Sequence, residues 1–183
     1  MKKLVALLLA LVMVLGCTAA LAEIHGMGSV TKIAAPKNAA DGNDGSQQIN
    51  TTFCAVALDA DNKIVAVSFD VAQNTVKWNE KSEGTTPETD NPPTKLEKKE
   101  AYGMKATSAG KGSITVNAAA GGEWYEQAAF LESYCIGKTL DEVISGIAMG
   151  EDNYPTGADV VVGITIHVNE LIEALGIAIM NAK

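Results

Sequence analysis

Two runs of strand-forming residues joined by four polar ones constrain this fold more than anything else in the sequence. Thr51 to Leu58 and Lys63 to Asp70 flank Asp59-Ala60-Asp61-Asn62. β-branched and aromatic residues with period-two alternation, interrupted by Asp and Asn, predict an antiparallel hairpin. In the second run Ile64, Ala66 and Ser68 alternate with Val65, Val67 and Phe69. Both faces are largely apolar, the pattern of a strand covered on two sides. Val71 to Trp78 continues or bends this strand toward the surface.

The rest of the chain reads around that hairpin. Gly28 to Ala34 alternates as a short strand, and Pro36 to Asn50, rich in Asn, Asp, Gly and Gln, reads as a loop. Asn79 to Thr94 holds three prolines, four acids and no large apolar residue. Such a segment cannot bury enough surface to offset its ordering entropy, which predicts a flexible loop over 79–94. Leu96 to Met104 suggests a short helix, and the Gly- and Ala-rich stretch Ser108 to Gly122 holds a possible edge hairpin at Ile114-Thr115-Val116. From Glu123 to Cys135, helical spacing puts Trp124, Ala128, Leu131 and Cys135 on one face, and Gly137 ends the helix. Thr139 and Glu142 stand in capping-box spacing before Leu140, Val143, Ile144 and Ile147. Val160 to Val168 is the most β-branched run and predicts a buried strand. Asn169 would cap a last helix with Leu171, Ile172, Leu175 and Ile179 on its apolar face. The fold class expected is α+β, a largely antiparallel sheet with three to four helices packed against it in a single domain.

The N-terminus carries an address. Lys2 and Lys3 precede an apolar run from Leu4 to Leu15. The run is too short for a bilayer, which takes roughly 20 residues, and suits a signal-peptide core. Ala20-Leu21-Ala22 offers ordinary secretory cleavage, giving a signal peptide over 1–22 and a mature domain over 23–183 that starts at Glu23. The alternative is a lipobox at Val14-Leu15-Gly16-Cys17, which would tether the protein to a membrane only through a lipid on Cys17. Either way the chain is expected to be secreted or attached to the cell envelope. Of the remaining cysteines, Cys54 and Cys135 either pair as a disulfide or stay buried as free thiols.

Charge removes whole classes of function. Net charge is −8, from 22 acids and 14 bases, and every base is lysine. Nucleic-acid binding is excluded, since phosphate neutralisation requires a basic face. Forked recognition of carboxylate or phosphate loses its usual agent, arginine. Nucleophile elbow, phosphate-binding P-loop and dinucleotide fingerprint are all absent, so no residue is assigned as catalytic. No metal site is assigned: Lys63 stands where a calcium loop starting at Asp59 would need its third oxygen ligand. His25 reads as a solvated terminal residue and His167 as a structural one.

One segment does carry a motif, Asn153-Tyr154-Pro155-Thr156-Gly157-Ala158-Asp159. With Tyr102-Gly103-Met104, Gly122-Glu123-Trp124, Glu126-Gln127-Ala128 and Gly137-Lys138-Thr139, it resembles the FMN-binding domain of exported flavoproteins and of Rnf- and Nqr-type electron-transport subunits, over most of residues 27 to 182. That family's motif has the form D-x-x-[ST]-G-A-[ST], and its last hydroxyl takes FMN through a phosphoester. Here Asp159 stands at the acceptor position and Asn153 at the aspartate position. A carboxylate is no hydroxyl nucleophile, and like charges ~4 Å apart near a surface repel by about 4 kcal/mol. The resemblance therefore implies non-covalent FMN. Thr156, Gly157, Ala158 and Asp159 would lie at the phosphate, and the ring would stack on Tyr154, Trp124 or Tyr102, with Trp78 a further candidate. The protein would be an envelope electron carrier with a redox partner there. The alternative is a non-redox surface module that keeps the fold and binds another small molecule or none.

Overall fold

The computed structural model describes residues 23–86, 91–104 and 122–183. The expected leader over 1–22, the central part of the 79–94 loop and the expected hairpin at 114–116 lie outside the described residues. β1 (Ile24–Ile33), β2 (Gly45–Leu58) and β3 (Ile64–Trp78) form an antiparallel sheet in the order β1-β2-β3. The four helices are α1 (Lys95–Lys98, continued by a 3-10 turn over Lys99–Tyr102), α2 (Trp124–Cys135), α3 (Leu140–Ile147) and α4 (Asn169–Met180). The fold is α+β and a single domain, as the sequence predicts.

Asp59 forms the β2–β3 turn, its Oδ1 accepting from the backbone N–H of Asp61 and of Lys63, each at 2.9 Å, while Asn62 takes φ +58°. An Asx turn of this kind engages the carboxylate that a cation would need. Both strands are longer than expected. β2 begins at Gly45, inside the expected loop, because Ser46 to Asn50 pair along the ladder with Gln73 to Lys77. β1 begins at Ile24, so His25 is a strand residue that exchanges backbone hydrogen bonds with Lys183. The sheet buries one face. Phe69, Val71, Cys54 and Val56 point into the core, while Met27 (69% exposed), Phe53, Val65 and Ala66 stay open. The two-sided burial expected of β3 is thus corrected: its second face is built from small residues that gain little by burial.

α4 crosses β1 and β2 at very short range, and glycines make that possible. A Cβ at Gly26 would stand 1.9 Å from the Ala178 carbonyl oxygen, and one at Gly28 would stand 2.2 Å from that of Ala174. α2 lies over β3, where Glu132 Oε1 accepts from Phe69 N at 2.8 Å. Its apolar face holds Trp124, Ala128, Leu131 and Cys135, all buried as expected. Gly137, at φ +77°, then turns the chain so that its N–H reaches the Ile64 carbonyl. α3 starts at the predicted capping box, with Thr139 Oγ1 accepting from Glu142 N and Glu142 Oε2 accepting from Thr139 N. Val143 and Ile147 are buried, but Ile144 is 46% exposed, because an eight-residue helix presents only one narrow stripe.

Two further expectations need correction. Val160 to Val168 is no strand. It turns back on itself, with Val160 N and Val161 N donating to Gly157 O and Ile164 N donating to Val160 O. Thr165 N finds the side chain of Gln127 (2.7 Å) and Val168 N finds Asn153 O, so these groups are satisfied without a ladder. Val160, Ile164, Ile166 and Val168 are nonetheless buried, so the β-branched run signals burial, as β-propensity often does. Asn169 is the first residue of α4, preceded by Val168 with no side-chain cap. The segment after β3 makes several hydrogen bonds over 79–86. Asn79 Oδ1 accepts from Lys81 N and Glu83 N, Trp78 bridges Gly84, and Thr85 and Glu80 bond across to Asp44 and Gly42.

Cys54 and Cys135 are free buried thiols. Burial pushes each up to about 12, with nearby Glu132 adding to both and Lys138 opposing the effect at Cys135.

Candidate functional site

Along β2 the inward-facing residues run Val56, Cys54, Thr52, Asn50, from apolar to polar. Where that row turns polar the core ends and a cleft of about 300 Å³ opens. Val71 of β3 and Leu171 of α4 continue its apolar floor, and Trp124, at the first turn of α2, closes one side. Lys95 projects from α1 on the same side. Asp70 fixes that short helix by accepting from Leu96 N at 3.1 Å, and the Thr94–Glu97 capping box starts it. Tyr154 and His167 form the opposite lip, edge to face with ring centroids 4.2 Å apart. Tyr154 is held there by the tight turn in which Gly150 N donates to Tyr154 O, with Asn153 at φ +61°.

The polar groups of the cleft differ in how far the protein satisfies them. Glu170 is paired with Lys32 at 3.2 Å. Burial raises its carboxyl, but its own backbone N–H and Lys32 outweigh that and hold it below the ordinary range. Thr165 is bound through its N–H and hydroxyl to Gln127 Oε1, and the Gln127 amide in turn donates to Gly122 O at 3.0 Å. Lys95 Nζ lies 5.1 Å from the Tyr102 ring centroid and 5.7 Å from that of Trp124. Asn50 Oδ1 is buried with no hydrogen-bond partner. Among the described residues no cluster of His, Cys, Asp and Glu is placed to hold a metal ion. A larger, shallower depression of about 480 Å³ lies on the open face of the sheet by His25, Met27, Ala55 and Ser68, but its walls are mostly small side chains.

The structure divides the residues that the sequence grouped together. Tyr154 and Trp124 line the cleft. Tyr102 stands behind Lys95, its hydroxyl donating to Gln73 Oε1 at 3.1 Å. Trp78 covers Gly45 at the far end of the β2–β3 ladder. Thr156, Gly157, Ala158 and Asp159 do not line the cleft. Thr156 Oγ1 donates to Ala148 O, and its N–H and that of Gly157 donate to the carbonyls that end α3. A Cβ at Gly157 would stand 1.9 Å from Gly146 O, so this glycine serves a close backbone approach. Ala158 and Asp159 are exposed, and Asp159 helps burial raise the Tyr134 phenol. The Thr156 hydroxyl and the amides of Thr156 and Gly157 are therefore engaged inside the fold, which leaves a phosphate fewer donors at this segment. Asn50, Thr52, Lys95, His167 and Glu170 are the cleft residues that sequence reasoning missed. One signal was legible: polar residues at the inward positions of a strand whose other inward positions are apolar.

Compared with protein-family models, with curated proteins and with solved structures, the chain matches none.

Proposed function

We propose that this chain is an exported small-molecule binding protein that takes a planar, ring-bearing ligand non-covalently in the cleft between β2, α1, α2 and the Tyr154–His167 lip. The observation that carries the reading is a concave, largely polar site in which two aromatic side chains and several polar groups converge over a small apolar floor. The floor supplies Val71 and Leu171, the walls Trp124 and Tyr154, and the polar groups Lys95 and Asn50. The export half of the proposal rests on the charged start, short apolar core and Ala20-Leu21-Ala22.

A flavin carrier of the envelope is the second reading. It is favoured by one observation, that two of its four expected ring-stacking residues, Trp124 and Tyr154, line the cleft. The engaged donors of Thr156 and Gly157 count against a phosphate anchor, so a flavin would be held by its ring. Titration calorimetry with riboflavin and with FMN separates the readings. Saturable binding of riboflavin at least as tight as FMN, lost in Tyr154→Ala, supports ring recognition in this cleft. Tighter binding of FMN that survives Tyr154→Ala would place recognition elsewhere and refute it.

A further inference from the structure

Two polar groups of the cleft are left unmatched by the protein's own atoms, and we infer that they define its ligand: a ring-bearing carboxylate with a ring N–H donor, the carboxylate on Lys95 and the N–H on Asn50 Oδ1. The inference rests on the ring-ligand reading and deepens it.

Lys95 is a half-buried ammonium with three donors. Among the described residues it forms no ion pair and no hydrogen bond, and its contacts are the faces of Tyr102 and Trp124. Aromatic faces attract a cation but leave its N–H donors unused. An anionic ligand satisfies both, because the rings hold the ammonium in place while it donates. Asn50 Oδ1 presents the complementary need, a buried acceptor facing no donor. Such an atom is costly until something bonds it. Both residues line the same cleft. The one carboxylate that lines the cleft, Glu170, is already paired with Lys32, so no acid there neutralises Lys95. A lone ammonium suits one negative charge, whereas a phosphate dianion usually draws on arginine forks or clustered backbone N–H groups. The chain has no arginine, and the backbone amides of Thr156 and Gly157 are engaged.

Four related probes test this by titration calorimetry on the mature protein. Indole-3-acetate carries ring, carboxylate and N–H. Indole-3-ethanol lacks the charge, 1-methylindole-3-acetate lacks the N–H, and 3-indoxyl phosphate replaces the carboxylate by phosphate. The expected order puts indole-3-acetate about tenfold tighter than indole-3-ethanol, as for a charge-assisted hydrogen bond, and about threefold tighter than the N-methyl probe. In Lys95→Met the preference for the acid over the alcohol disappears, and in Asn50→Leu the preference for N–H over N-methyl disappears. Equal binding of acid and alcohol, or a preference that survives Lys95→Met, overturns the anion assignment while leaving ring recognition standing. Tighter binding of the phosphate probe overturns the choice of carboxylate. No binding of any probe, with riboflavin also failing, overturns the ring-ligand reading and this inference with it. Because three comparisons change only the ligand, the inference stays open to refutation even where a variant fails to fold.

Discussion

Replacing Gly28 with alanine should destabilise the protein far more than one methyl group normally does. The added Cβ would lie 2.2 Å from Ala174 O, 2.5 Å from Ala178 N and 3.0 Å from Ile177 Cβ. A carbon rests against a carbonyl oxygen at about 3.3 Å, so β1 and α4 must separate by about 1 Å. The two nearest atoms are backbone, and no rotamer change relieves them. A radial gap of that size forfeits about a quarter to a half of the dispersion energy of each contact it opens. The affected contacts include those of Ala174 and Ala178, both fully buried. Overpacking typically costs about 1–3 kcal/mol, and backbone neighbours put Gly28→Ala at the upper end. For a chain of this size about 3 kcal/mol lowers the melting temperature by roughly 6–12 °C. Thermal melts followed by far-UV circular dichroism measure it, with Gly84→Ala as control, since a Cβ there meets nothing within 4 Å. If Gly28→Ala melts within about 2 °C of the parent, the close β1–α4 approach is wrong and the packing argument fails.

Cys54 and Cys135, with thiols pushed up to about 12, should resist iodoacetamide in the native protein at pH 8 and both react in denaturant, which intact mass will count. Thr139→Ala removes an acceptor from the α3 capping box and should cost about 1 kcal/mol by urea unfolding. Glu132 is raised by burial, against the bonds it accepts from Phe69 N and Ser68. The native state therefore holds that proton to higher pH than the unfolded chain does. This contribution favours folding at acid pH and declines as pH rises from the ordinary glutamate range through the raised value. Urea midpoints across that window should show a fall with pH in the parent relative to Glu132→Gln, and parallel curves would contradict the assignment.

Local rules made much of this fold legible. The Asp59 turn between alternating runs, the Thr139–Glu142 capping box and the Trp124-Ala128-Leu131-Cys135 stripe are decided within a few residues, and each stands as its spacing predicts. The strand expected over Val160 to Val168 failed for a reason that no local rule holds: the Gln127 side chain and the Asn153 carbonyl take the N–H groups of Thr165 and Val168 from distant parts of the chain. The end of α3 likewise takes the hydroxyl of Thr156 and the amides of Thr156 and Gly157.

The sequence by itself determined the antiparallel hairpin, the helix stripes and caps, and an acidic, arginine-free composition, because periodicity, capping and net charge are local or additive properties. Only the tertiary structure decided where the cleft lies. Asn50, Lys95, Trp124, Tyr154 and His167 come from five segments of the chain. Nothing in the neighbourhood of any one of them announces the others. Whether a polar group is satisfied depends on what folds against it, which is why Thr156 is occupied and Asn50 and Lys95 are not.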